Sequence, residues 1–293
     1  MKSAVVLMAY GSPERLADVP AYYADIRGGR PIAPEHLADL VERYRRLGIE
    51  DSSPLNAITE QTRAALEAEL ALPVFTGMKH WTPRIADAAE SAVASGADGI
   101  VGLVLAPHYS ALSIAGYREQ LELAVGRRAE LRFVDSWYDE PGFVELLADR
   151  VRGTDAHVVF TAHSLPARIL EAGDPYRDQL LETSRLVAES AGLRAWSFSF
   201  QSESPTGEPW LGPDILDHLE SLQRQGVERV LVCPVGFVSD HLEIRWDLDV
   251  EAQEKAAELG LELERIEMPN SDPRLIAALG SIVRRALSVP SVA

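Results

Sequence analysis

Short apolar runs alternate with longer amphipathic segments along the whole chain. The runs are rich in valine, isoleucine and leucine, whereas segments such as "ITEQTRAALEAEL" place apolar residues three and four positions apart. Strands that alternate with helices indicate parallel sheets with helices on both faces, so the pattern predicts an α/β fold. The predicted strands span 4–9, 73–78, 100–106, 131–135, 157–162, 195–200, 229–235 and 262–267.

The second half of the chain repeats the first. "VVLMAYGSP" aligns with "VVFTAHSLP", which places Tyr10 opposite His163. Two further matches follow in the same order, "PRIADAAESAVASGADGIV" with "PDILDHLESLQRQGVERVL" and "VDSWYDEPGFVELLADRVR" with "IEMPNSDPRLIAALGSIVR". Three matches in one order indicate a duplicated unit.

We therefore predict two similar Rossmann-like domains, residues 1–152 and 153–293, each with a four-stranded parallel sheet flanked by helices. Ligands of such sheets bind beyond the carboxyl ends of the strands. Tyr10, His163 and the segment 238–243 all lie at or just after predicted strand ends. We expect them to line a cleft between the two domains.

Composition excludes several classes of partner. The 293 residues carry a net charge of −17, so nucleic acids and anionic membranes are repelled. The longest apolar run, "IVGLVLAP", is far shorter than the about 20 residues that a membrane helix needs. The single cysteine, Cys233, excludes an intrachain disulfide and an all-cysteine metal cluster within one chain. We expect a cytoplasmic monomer that does not insert into membranes.

The most acidic stretch follows the apolar strand that ends near residue 235. If a helix starts near Asp240, then Glu243, Asp247 and Glu251 stand at i, i+4 and i+8 on one stripe, beside His241. Such a stripe is either a solvated helix face or a path for a cation. Like charges at this spacing cost about 0.2–0.5 kcal/mol per pair, which favours the cation path. Carboxylates with imidazole suit a borderline divalent metal such as Fe²⁺.

His163 directly follows a predicted strand, where a histidine is either structural or functional. Ser164 beside it could be a nucleophile, but the chain contains no Gly-x-Ser-x-Gly motif, which makes a hydrolase triad a weak hypothesis. The phosphate-binding Gly-x-x-x-x-Gly-Lys-Ser/Thr and the dinucleotide-binding Gly-x-Gly-x-x-Gly are also absent from the sequence. The basic segments "DIRGGR" and "ERYRRLG" are either a charged surface or a site for an anionic ligand.

Seven motifs carry a resemblance to a known family. "MAYGSP", "SPLNAITEQ", "VLAPHYS", "TAHSLPARI", "GDPYRDQL", "WLGPD" and "CPVGFVSDHLE" occur in this order over nearly the whole chain. Together they resemble the ferrochelatases, the type II, ATP-independent chelatases that insert iron into porphyrins. "MAYGSP", with Tyr10, is similar to the branch of monoderm bacteria that uses coproporphyrin III. The resemblance implies chelatase-type domains that exchange their terminal helices, and insertion of Fe²⁺ into coproporphyrin III for haem biosynthesis.

The resemblance also implies roles for individual residues. His163 and Glu243 match the catalytic, iron-binding pair, and Tyr10 matches the tyrosine that approaches the metal in the product. Asp247 and Glu251 match the acidic ridge along which a cation enters. The other positions that match the porphyrin pocket are Arg27, Arg43, Tyr44, Ser53 and Tyr117.

The implied ligands are substrates. Fe²⁺ and coproporphyrin III bind during turnover, with no resident cofactor and no iron–sulphur cluster, and the product passes in a transient contact to the downstream haem-pathway enzyme. A neutral His163 is expected to accept a pyrrole proton. Three alternatives remain open: a protoporphyrin IX ferrochelatase, a cobalt or nickel chelatase acting on a sirohydrochlorin-type ring, and a porphyrin or haem carrier with Tyr10 and His163 as axial ligands.

Overall fold

The computed structural model describes residues 2–48, 53–203 and 207–288. Within these residues, eight strands form two four-stranded sheets in which every neighbouring pair is parallel. The strands are β1 Ser3–Ala9, β2 Val74–Met78, β3 Gly99–Val104, β4 Glu130–Val134, β5 His157–His163, β6 Trp196–Gln201, β7 Arg229–Cys233 and β8 Glu262–Arg265. Each predicted strand is present, with bounds that differ by at most two residues, so the predicted α/β fold is confirmed.

Helices connect the strands, as the amphipathic segments predict. Several begin with proline in the first turn, where the missing N–H costs no helical hydrogen bond. The α-helices are α1 Val19–Ile26, α2 Pro34–Arg46, α3 Pro54–Leu70, α4 Ile85–Ala94, α5 Ile114–Val125, α6 Pro141–Val151, α7 Arg168–Glu171, α8 Tyr176–Ala191, α9 Ile215–Arg224, α10 Ala252–Leu259 and α11 Pro273–Ser288. A π-helix, Ile244–Glu251, directly precedes α10.

The internal repeat corresponds to a repeated topology. The strand orders are β2-β1-β3-β4 and β6-β5-β7-β8, so β1 and β5 hold the same place in their sheets. Ile85 begins α4 and Ile215 begins α9, which reproduces the alignment of these segments. The two halves therefore present matching strand ends, with Tyr10 directly after β1 and His163 as the last residue of β5.

The C-terminal helix joins the two halves. α11 packs against α3 and α6 and contacts β3 and β4 of the first sheet. One buried cluster contains Leu7 of β1, Phe160 of β5 and Leu279 of α11. Arg284 adds an ion pair of 2.8 Å to Glu69 of α3. A helix from the second half thus covers the first, while the exact division at residues 152 and 153 stays a prediction.

None of the helices within the described ranges is long and apolar enough to cross a membrane.

Candidate active site

An imidazole and a carboxylate meet at the carboxyl end of the second sheet. His163 ends β5, and Glu243 immediately precedes the π-helix. His163 Nε2 lies 3.5 Å from Glu243 Oε1, and the two side chains are 29% and 40% exposed. His163 Nδ1 bonds to the carbonyl oxygen of Ser164, which orients Nε2 toward the carboxylate. The structure therefore brings together the pair that the sequence resemblance singles out.

A second imidazole contacts the same carboxylate. His241 Nε2 lies 3.5 Å from Glu243 Oε2, and His241 Nδ1 lies 2.9 Å from the carbonyl oxygen of Ser239. Each oxygen of Glu243 thus has its own histidine. In the sequence His241 stands beside the acids, with no role assigned to it. His241 and Glu243 are two residues apart and follow the same strand end. This spacing is the sequence feature that could have indicated that the two side chains lie close together.

The contact between His163 and Glu243 changes the pKa of both groups. Burial lowers the pKa of His163, but the negative charge of Glu243 and the Ser164 carbonyl raise it to about 9. Burial raises the pKa of Glu243, yet His163 and then His241 bring it well below its usual range. At neutral pH the free protein therefore holds an imidazolium–carboxylate pair. This differs from the expectation of a neutral His163, because the distance between the two groups could not be obtained from the sequence.

Asp247, four residues after Glu243, is a carboxylate inside the protein. Its side chain is buried, and Oδ2 accepts hydrogen bonds from Ser202 Oγ and, at 3.4 Å, from Gln201 Nε2. Burial and then the charge of Glu243 raise the pKa of Asp247 to about 7. Asp247 can therefore hold or release a proton near neutral pH.

Asp247 lines a cleft of about 220 Å³. Its lining brings together residues of both halves of the chain and is strongly acidic. The described residues that line it are Arg43, Ser202, Glu203, Asp214, Ile215, Leu216, Asp247 and Glu251. Asp247 and Glu251, which the sequence placed on one stripe, thus share this cleft. The helix that carries them is a π-helix, with i→i+5 hydrogen bonds, instead of the α-helix that the spacing argument assumed.

Tyr10 stands on the first sheet, in the place that the repeat predicts. Its side chain is 42% exposed, and its ring centroid lies 4.6 Å from that of His80. His80 Nδ1 is 2.9 Å from Asp25 Oδ2, and Arg84 bonds the other oxygen of Asp25 at 2.9 Å. The ring of Tyr10 thus packs against an imidazole that belongs to a hydrogen-bonded cluster, and no sequence motif indicates this cluster.

The predicted porphyrin-pocket residues lie in different environments. Arg27 directly follows α1, and its buried Nε has no hydrogen-bond partner among the described residues. The buried hydroxyl of Ser53, just before α3, is likewise unpaired in this part of the chain. Arg43 lines the acidic cleft. Each of the three residues offers a polar group that can bind a ligand.

The two tyrosines of this set are buried. Tyr44 OH lies 3.2 Å from Ser12 Oγ, and burial raises the pKa of Tyr44 to about 12. Tyr117 is 5% exposed, and the ammonium group of Lys79 stands 4.8 Å from its ring centroid. Both rings can contribute an apolar wall while they remain uncharged.

A resident metal would need a cluster of His, Cys, Asp or Glu side chains. Among residues 2–48, 53–203 and 207–288, no group of three or more such side chains is arranged to hold a metal ion.

Comparison with known proteins decides the family. The family model for ferrochelatases matches residues 2–287. The chain belongs to the ferrochelatase family. It is 44% identical to a ferrochelatase of Herpetosiphon aurantiacus, over 96% of this chain and 98% of the relative. It is 39% identical to the coproporphyrin III ferrochelatase of Bacillus subtilis, over 98% of both chains.

The fold of this ferrochelatase-family chain also occurs in a solved chelatase. SirB from Bacillus subtilis with Fe³⁺ superimposes with a TM-score of 0.63 and covers 98% of this chain and 96% of its own. The sequence identity is 14%, so the similarity concerns the fold alone. The predicted chelatase-type architecture, two parallel sheets flanked by helices, is confirmed.

Proposed function

We propose that this ferrochelatase-family chain inserts Fe²⁺ into coproporphyrin III, with His163 and Glu243 as the catalytic residues. The observation that carries the proposal is the 3.5 Å contact between His163 Nε2 and Glu243 Oε1 beside the acidic cleft. A base that accepts pyrrole protons and a carboxylate that receives the metal are the two groups that porphyrin metallation requires.

The charge state of the pair suggests an order of events. Fe²⁺ enters along Glu251 and Asp247 and exchanges water for carboxylate oxygens one at a time. When the cation reaches Glu243, it neutralises the charge that holds the proton on His163, and the pKa of His163 falls. His163 then releases its proton toward the cleft, which leaves Nε2 free to accept a pyrrole proton. The second pyrrole proton leaves by the same route, so that Fe²⁺ replaces two N–H protons. Asp247, with a pKa of about 7, is suited to pass a proton toward the cleft.

Porphyrin recognition is assigned to the first half of the chain. Arg27 and Arg43 supply positive charge for the carboxylates of coproporphyrin III, while Tyr44, Ser53 and Tyr117 line the pocket. Tyr10 faces the ring from the strand end that corresponds to His163 in the repeat. The buried Arg27 Nε, unpaired among the described residues, supports this assignment, because such a donor is costly until a ligand satisfies it. The cleft walls hold the macrocycle bent, which exposes its nitrogen lone pairs.

The choice of porphyrin rests on similarity to relatives. Coproporphyrin III ferrochelatases of Halalkalibacterium halodurans, Bacillus pumilus and Geobacillus kaustophilus match over nearly the whole chain at 38–40% identity. The ferrochelatases of Herpetosiphon aurantiacus and, at 42% identity, Deinococcus radiodurans carry no porphyrin in their names. Protoporphyrin IX is therefore the second candidate substrate. Its two carboxylates would leave part of the basic lining without a partner.

A direct assay tests the function and the substrate together. Purified protein is mixed anaerobically with Fe²⁺ and an excess of each porphyrin, without ATP, and metallation is followed by absorbance. We expect many turnovers and a kcat/KM at least about tenfold higher for coproporphyrin III, since one of the two additional charged contacts, worth about 1.5 kcal/mol, already gives a factor of about ten. Equal or better use of protoporphyrin IX would reverse the substrate assignment. Metallation that stops at one equivalent per protein would identify a carrier instead.

The remaining expectations stay predictions. These are a cytoplasmic monomer without a resident cofactor or iron–sulphur cluster, and a transient contact with the downstream haem-pathway enzyme.

A further inference from the structure

Arg43 is assigned to porphyrin binding, and it also lines the acidic cleft that is assigned to the cation. It projects from α2 of the first half, yet it lines the same 220 Å³ cleft as Asp214, Asp247 and Glu251 of the second half. Among the described residues of that lining, Arg43 carries the positive charge and Glu203 adds a further carboxylate. A cleft of about 220 Å³ is only about one Debye length, roughly 8 Å, across, so dissolved salt screens its charges from one another incompletely.

The guanidinium of Arg43 is held by weak contacts. Its Nε forms an ion pair of 2.9 Å with Asp39, whose side chain is 61% exposed, and such surface pairs contribute little. Its guanidinium carbon also lies 5.1 Å from the centroid of the Trp246 ring in the π-helix. Neither contact is strong enough to keep the Arg43 guanidinium in the cleft when another anion binds it.

We propose that Arg43 acts as an internal cation that occupies the acidic cleft in the free protein and leaves it when a porphyrin carboxylate binds its guanidinium. Porphyrin binding then opens the cleft to a divalent cation. The inference rests on the proposed function, because it takes Arg43 to contact a porphyrin carboxylate. It adds that the binding of the porphyrin changes the affinity for the cation, which neither binding site implies alone.

Linkage fixes the form of this coupling. If the porphyrin raises the affinity for a divalent cation by some factor, the cation raises the affinity for the porphyrin by the same factor. Removal of the charge of Arg43 should have opposite effects on the two ligands. The porphyrin loses a contact, whereas the cation gains a cleft without a competing positive charge.

The test uses Mn²⁺ as the cation, because its binding is measured by the loss of its free electron paramagnetic resonance signal. Mn²⁺ is titrated into wild type, Arg43→Gln, Arg43→Lys and Arg46→Gln, with and without saturating coproporphyrin III. The porphyrin spectrum is recorded to confirm that the ring stays metal-free. Arg46→Gln is the matched control, since Arg46 also stacks on Trp246, at 4.9 Å, but pairs with Glu254 and is absent from the described lining of the cleft.

We expect Arg43→Gln to bind Mn²⁺ at least about fivefold more tightly than wild type in the absence of porphyrin, the lower end of typical coupling factors. Coproporphyrin III should tighten Mn²⁺ binding to wild type by a similar factor and leave Arg43→Gln unchanged. Arg43→Lys, which keeps the charge, and Arg46→Gln should both resemble wild type. Circular dichroism checks that each variant is folded.

Two results would overturn the inference. One is an Arg43→Gln protein whose Mn²⁺ affinity is equal to or weaker than that of wild type. The other is an equal gain in Arg46→Gln, which would assign the effect to the contact with Trp246. Both results are Mn²⁺ affinities measured without porphyrin. They can therefore fail independently of the metallation assay that tests the proposed function.

Discussion

Glu243 Oε1 lies 3.5 Å from His163 Nε2, although the two residues are eighty positions apart in the chain. His163 reaches this point because it ends β5, and Glu243 because it follows the turn after β7, the neighbouring strand. The parallel order of the sheet therefore assembles the pair from two adjacent strand ends. The imidazole of His163 and the carboxylate of Glu243 are therefore close enough to set each other's charge state.

Replacement of Glu243 by glutamine should separate chemistry from porphyrin binding. The variant loses the metal-receiving charge but keeps the size of the side chain, so kcat should fall about 100-fold or more. The dissociation constant for coproporphyrin III, measured by fluorescence quenching, should change less than about threefold. Asp249→Asn is the control, because Asp249 lies in the same acidic stretch but pairs with Arg265 at 2.7 Å. Parallel losses of turnover and porphyrin affinity in Glu243→Gln would contradict the assigned role.

Loss of the imidazole should be equally severe. His163→Ala removes the proposed proton acceptor, and we expect metallation of coproporphyrin III to fall at least about 100-fold. The side chain is only partly buried and ends a strand, so the melting temperature should stay close to that of wild type. Wild-type turnover in a folded His163→Ala protein would remove His163 from the mechanism.

The pKa of His163 can be tested without substrate. In wild type the Glu243 carboxylate raises this pKa to about 9, so the imidazole should titrate near pH 9. In Glu243→Gln the effect of burial is no longer opposed by a neighbouring charge, and the midpoint should move down by more than one pH unit. The measurement is a pH titration of the histidine ring signals by NMR, with His163→Ala for assignment. An unchanged midpoint would show that the contact does not set the charge of His163.

Several features of this fold could be predicted from the sequence because they depend on local pattern. Apolar runs mark the strands, since a buried parallel strand is apolar on both faces. The repeat predicts that Tyr10 and His163 occupy equivalent strand ends. The carboxylate stripe predicts that Asp247 and Glu251 share one surface, since residues four apart remain neighbours in a helix.

The interior of the site could not be predicted in the same way. The π-helix depends on i→i+5 hydrogen bonds that leave no periodic signature in eight residues. The raised pKa of His163 and the hydrogen bond from Ser202 to Asp247 depend on distances between separate elements. The stacking of Arg43 on Trp246 joins two halves of the chain. The last three features depend on tertiary contacts, which sequence spacing does not encode.

Gly236 shows how the motif "PVGFVSDHLE" positions the site through one such contact. A Cβ atom at this position would stand 2.4 Å from the Cβ and 2.8 Å from the Cα of Ala162, the residue before His163. Only a glycine lets the turn after β7 lie so close to β5, because overpacking of this kind forces the backbone to shift. The same turn leads to His241 and Glu243, so the close approach brings both residues near His163.

His241 should affect the metal more than the porphyrin. It contacts Glu243 Oε2 at 3.5 Å, and groups that orient a metal-binding carboxylate are worth about 10–100-fold in metal affinity. His241→Ala should raise the KM for Fe²⁺ by about tenfold and leave the KM for coproporphyrin III within about twofold. His36→Ala, at an exposed position in α2, controls for the loss of a histidine. The idea fails if both KM values change together or if neither changes.

His108 should make the folded protein sensitive to acid for a reason unrelated to catalysis. Its Nε2 lies 2.8 Å from Thr183 Oγ1, and its buried Nδ1 has no hydrogen-bond partner in the described part of the chain. Thr183 already donates to a main-chain carbonyl, that of Tyr138 at 2.8 Å or that of Gln179 at 3.0 Å, so Nε2 of His108 carries the proton. Burial lowers the pKa of His108 to about 3.

The sign of the effect follows from this lowered pKa. The unfolded chain binds a proton at His108 below about pH 6.5, and the folded protein does not until about pH 3. The contribution of His108 to the free energy of unfolding is therefore fully present above about pH 6.5, and it decreases as the pH falls toward 3. Between pH 7 and pH 5, the free energy of unfolding of wild type should drop about 2 kcal/mol further than that of His108→Gln, measured in urea. Equal drops would mean that His108 is protonated in the folded protein, and the buried environment assigned to it would be wrong.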